Sequence, residues 1–147
     1  MTHDMILVDI IKKRLGNSIK AVYHLEAYQQ LEENRQKYPC IVYQLRADTY
    51  ASLELSGTSG HKDALYAVTV IDKASSVVRN VQSKLHTLTF EAYQDQRAVE
   101  YGAHGYKWLD VDVDEEGVEL AVELEAKGYK FATLAFLLQY FHYEAKP

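Results

Sequence analysis

At 147 residues, with 48% hydrophobic and 25% charged side chains, the chain has the makeup of one ordinary globular domain, expected to span 1–147, that needs no disulfide or metal staple. A formal net charge of −5 with scattered cations argues against adhesion to nucleic acid, which needs a basic patch that releases counterions. The lone Cys40 excludes an internal disulfide and a multi-cysteine metal site.

Residues 5–15 read as an amphipathic helix with Ile6, Leu7, Ile10 and Ile11 on one face. Thr2 or Asp4 can cap its start, Gly16-Asn17 stops it, and Lys12, Lys13 and Arg14 suit the negative end of its dipole. Residues 21–25 fit a short strand, and the polar stretch 29–37 reads as a solvated loop or helical turn. Pro39 then biases Tyr38 to an extended backbone.

From Ile41 every second residue is apolar or small (Ile41, Tyr43, Leu45, Ala47, Thr49, Ala51, Leu53, Leu55), which predicts a strand with one buried and one wet face. This run is far longer than a usual strand of about 5–6 residues, so it is expected to project as an arm. Ser56-Gly57-Thr58-Ser59-Gly60 makes a turn, and residues 61–71 return as a strand, closing a long β-hairpin with a charged tip.

Residues 74–88 form the clearest helix, with Val77, Val78, Val81, Leu85 and Leu88 at helical spacing and Ser75 or Asp72 as cap. Strand character follows over 98–113. Residues 118–125 alternate at period 2 and are read as a strand, although their Ala, Glu and Leu content suits a helix. The final run, 131–143, is apolar on both faces and is expected either at the centre of the sheet or under another subunit. The expected class is α+β: a mainly antiparallel sheet, two helices packed on one face, and a long protruding hairpin.

The chemical motifs fail one by one. Asp110, Asp112 and Asp114 sit at calcium-loop spacing, but the loop's glycine and final glutamate positions hold Glu115 and Ala121. Gly57-Thr58-Ser59-Gly60-His61-Lys62 lacks phosphate-loop spacing and precedes a strand. The six histidines form no metal-binding pair, no Gly-x-Ser-x-Gly elbow exists, and Cys40 sits in an apolar run that suits a packed thiol. The expectation is no enzyme, no catalytic, cofactor or metal residue, no membrane span, and no leader peptide. The twelve tyrosines suit interfaces as well as strands.

The order of these features resembles the tail terminator, or tail completion, proteins of long-tailed bacteriophages. The resemblance rests on the N-terminal helix, the strand start Pro39-Cys40-Ile41-Val42-Tyr43-Gln44, the long hairpin, the strand 66–71, the helix ending near Leu88, and the aromatic strand 137–143. Between Ala98 and Gly128 the chain is longer than that pattern. The resemblance implies a homo-hexameric ring at the head-proximal end of the tail tube, assembled in the host cytoplasm and carried in the virion. Its partners would be other copies of itself, the tube protein and a neck or head-completion protein, with DNA passing through unbound.

A ring of head-to-tail contacts needs two different surfaces on each subunit. The candidates are the hairpin, with Arg46, Asp48, Tyr50, Glu54, His61 and Lys62, and the final strand, with Phe141 and Tyr143. Asp110, Asp112, Asp114, Glu115 and Glu116 are candidates for a channel wall that repels DNA. The alternatives are another neck or connector protein, a small α+β ligand-binding domain or enzyme, and a generic oligomer of the same fold.

Overall fold

The computed structural model describes residues 3–52, 59–86, 103–109 and 115–143. Its elements are α1 (His3–Leu15), β1 (Ala21–His24), α2 (Leu25–Gln30), β2 (Cys40–Ser52), β3 (Ser59–Asp72), α3 (Ser75–His86), β4 (Ala103–Leu109), α4 (Glu115–Ala126) and β5 (Lys130–Tyr143). The fold is α+β. Five strands lie in the order β1-β2-β3-β5-β4, antiparallel throughout except for the short parallel β1–β2 junction.

Both faces of the sheet carry helices. On one face, α1 places Leu7, Ile10 and Ile11, and α3 places Val78, Val81 and Leu85, against Ile41, Tyr66, Val68, Val70, Leu134 and Phe136. These are the two helices the sequence predicts. On the opposite face Leu25 and Tyr28 of α2, with Leu120 and Leu124 of α4, cover Cys40, Val42 and Ile71. The base of β2 is therefore buried on both sides, and the simple in–out alternation does not hold there.

The period-2 reading of residues 118–125 is wrong: they belong to α4. Leu120 and Leu124 are one helical turn apart and buried, whereas Val122 between them is 62% exposed. The alternation is a coincidence of apolar residues at i and i+4. The helix ends in a Schellman motif, in which Gly128 has φ +79, Tyr129 N–H donates to Leu124 O at 3.0 Å and Gly128 N–H to Glu125 O at 3.1 Å. Tyr129 and Leu124 belong to the same buried cluster, which adds the motif's apolar contact. A side chain at this left-handed position costs about 1–2 kcal/mol. Gly128→Ala is therefore expected to lower the denaturant midpoint by a matching amount with the cooperativity unchanged.

β3 enters α3 through an Asx turn, Asp72 Oδ2 accepting from Ala74 N–H at 3.1 Å. β1 stops after four residues because His24 caps α2, its Nδ1 accepting from Glu26 N–H at 3.2 Å. The sequence reading extended this strand to Leu25 and did not foresee α2, whose cap is an uncommon one.

Candidate assembly surfaces

The predicted hairpin exists, with β2 and β3 paired from Cys40↔Ile71 to Ser52↔Gly60. It is not a free two-stranded arm. β5 runs beside β3 along its whole length, from Asp72↔Lys130 to Ser59↔Tyr143. The doubly apolar strand 131–143 thus finds its place inside its own sheet, between β3 and β4. β2, β3 and β5 are 13, 14 and 14 residues long, roughly 45 Å each. Tyr66 near their middle is fully buried, and its hydroxyl donates to Asp4 Oδ1 at 2.5 Å, tying α1 to the sheet.

The register also corrects the alternation along β2. Leu45 pairs with Tyr66 and Ala47 with Leu65, so Arg46 is an inserted residue, a β-bulge that shifts every later position by one. Beyond it the structure brings several predicted interface residues together. Tyr50 pairs with Lys62, Asp48 with Ala64, His61 with both Ala51 and Phe141, and Tyr143 with Ser59. Glu54 lies outside the described residues, as do Asp110, Asp112 and Asp114. Glu115 and Glu116 open α4, where the helix dipole favours carboxylates without any appeal to a channel.

At the base of the sheet, aromatic groups form a polar bracket that no linear motif announces. Tyr38 Oη donates to Gln36 Oε1 at 2.7 Å, which leaves Tyr28 Oη to donate to Tyr38 Oη at 2.8 Å. Gln36 Nε2 donates to Tyr28 O at 3.2 Å, and the Tyr38 ring stacks on Tyr129 with centroids 4.6 Å apart. Lys73 Nζ stands 5.7 Å from the Tyr129 ring centroid, a cation–π approach. The bracket locks the segment before β2 to α2 and to the turn before β5.

Burial pushes the Tyr28 hydroxyl up to about 12 and, helped by the charge of Asp72, the Cys40 thiol up to about 12. Burial also raises Tyr38 and Tyr43. The fold keeps these protons, whereas the unfolded chain releases them from ordinary values of 9.0 for the thiol and 10.0 for the phenols. Their contribution to stability is therefore intact below about pH 9 and is lost as pH rises toward 12. Urea midpoints should be flat up to about pH 9 and fall above it, and Cys40→Ala should delay the onset of that fall. The fully buried thiol should react with an aromatic disulfide only as fast as the chain opens.

A half-open groove of about 570 Å³ lies between α3 and the start of β5, lined by Val78, Arg79, Gln82, Glu125, Tyr129 and Phe131 among others. Its charges are mixed, with Arg79 and Lys130 beside Glu125 in the lining. Among the described residues no group of three histidine, cysteine or acidic side chains is placed to hold a metal ion, and no helix is long and apolar enough to cross a membrane. No family model and no curated protein matches the chain.

Proposed function

We propose that this chain is a structural subunit of a phage tail end, a terminator that assembles as a homo-hexameric ring on the head-proximal end of the tail tube, stops tube growth and joins the tail to the neck. The observation that carries the reading is the extent of β2, β3 and β5. Backbone pairing continues to Ser52, Ser59 and Tyr143, well beyond the roughly 5–6 residues of a usual strand. Such long strands can offer a backbone edge to another molecule. The element order of the resemblance is present too: α1, the strand from Cys40, the hairpin, α3 and the closing aromatic strand.

On this reading the protein is not a catalyst, and its work is contact with its own copies, the tube protein and a neck protein. The carboxylates of Asp110, Asp112, Asp114, Glu115 and Glu116 would repel DNA passing through such a ring. Co-sedimentation with purified tail tubes tests the proposal. A terminator binds in proportion to tube ends, so shearing the tubes into shorter pieces should raise the amount bound. Binding that follows total tube mass, or no binding, would overturn it.

A further inference from the structure

The inference concerns the sheet edges, and it rests on the ring reading above. Because β1 ends at His24, it pairs with β2 only from Ala21↔Cys40 to His24↔Tyr43. Among the described residues, no strand pairs with the outer edge of β2 over 44–52. The opposite edge of the sheet is the outer side of β4, equally without a strand partner among the described residues.

These two edges match in level and direction. Following the register across the sheet, Gln44, Ala67, Ala135 and Leu109 share one row, and Tyr50, Lys62, Tyr140 and Ala103 share another. β4 therefore occupies the same rows as β2 beyond Tyr43, and β1 stops one row below them. Three successive antiparallel junctions also make β4 run opposite to β2. When such a sheet is repeated around an axis along its strands, the β2 of one copy meets the β4 of the next antiparallel, with no break in the alternation. Neither edge stretch contains proline, and the Arg46 bulge near the start of the β2 stretch and the irregularity between Ala103 and Gly105 in β4 leave 47–52 and 105–109 in regular pairing.

We infer that the outer edge of β2 over residues 44–52 receives the outer edge of β4 from a second copy of this chain, antiparallel and head to tail, so that the sheets of neighbouring copies join into one closed sheet. The seven residues of β4 set the length of the junction. Each copy gives one edge and receives one, which is the heterologous contact a ring requires.

Cysteine pairing tests this in the full-length chain, with Cys40 replaced by Ala to leave no other thiol. Single substitutions at Gln44, Ala47 and Thr49 on β2 are combined with single substitutions at Leu109, Lys107 and Gly105 on β4, because paired strands bring Cα atoms within disulfide range. Mild oxidation of a chain holding one cysteine on each edge should give a ladder of covalent multimers ending at the ring size. A chain with only one of them should give none. Multimers by mass with no ladder in any combination would overturn the edge junction while leaving the ring reading in place. Covalent dimers from β2-only variants would overturn it in favour of a two-fold contact. A chain that stays monomeric and uncross-linked overturns it as well, with the tail-end reading still tested by tube sedimentation.

Discussion

Replacing residues 49–62 with Asn-Gly is expected to give a folded subunit that neither forms rings nor binds tube ends. The replacement closes the strands at the Asp48–Ala64 pair through a three-residue loop, Asn-Gly-Asp63, a short hairpin connection. It leaves untouched the fully buried Ile41, Tyr66, Val70 and Phe136, and both helical layers. Circular dichroism and a cooperative urea transition near that of the parent chain would establish folding. Mass in solution and tube sedimentation would then report assembly. Because β5 pairs with the deleted part of β3, residues 140–143 lose that neighbour and only Tyr140 keeps a β4 partner among the described residues, so a modest loss of stability is expected there. Rings of normal size from this variant would end the view that the outer sheet makes the contacts.

Phe136→Ala is expected to do the reverse, damaging the fold and assembly together. Phe136 is fully buried at the centre of β5, paired with Tyr66 and Trp108 in the sheet and with its ring 6.5 Å from that of Tyr66. Truncating such a side chain costs about 3–5 kcal/mol through lost burial and the cavity left behind. That is a large part of the roughly 5–15 kcal/mol that holds a typical domain together. A urea titration should show the midpoint falling with the slope unchanged, and ring formation should return only to the extent that the folded state is restored by lower temperature or an osmolyte. A loss below about 1 kcal/mol would mean that the core is not centred on this residue. The two variants together separate the core around Phe136 from the hairpin end proposed to make contacts.

Much of this arrangement is legible in the chain because the signals are local. The alternation beginning at Ile41 and the helical spacing of Val78, Val81 and Leu85 each act within one element, and the turn cluster at 56–58 lies outside the described residues. The doubly apolar 131–143 also reported its position, as a central strand of a sheet with helices on both faces has little solvated surface. The errors arose where one pattern fits two structures. Leu120 and Leu124 satisfy both period 2 and a helical turn, and Gly128 was the better witness because it marks a helix end. The Arg46 bulge has no composition of its own, and it silently shifts the pairing of every later residue of β2 by one. The pairing of β5 along the full hairpin, and the level match of the outer edges, are non-local facts of register that no single stretch encodes. Of the proposed contact residues, the register brings Tyr50 beside Lys62 and His61 beside Phe141, whereas Glu115 and Glu116 find a sufficient local reason at the start of α4.

Electron microscopy of tail tubes grown with this chain is the most direct test of its role. Tubes polymerised alone should run to scattered lengths with bare ends, and tubes polymerised with it should each carry a single annular cap at one end and stop growing there. Tubes that elongate unchanged in its presence, with no added density at either end, would contradict the account.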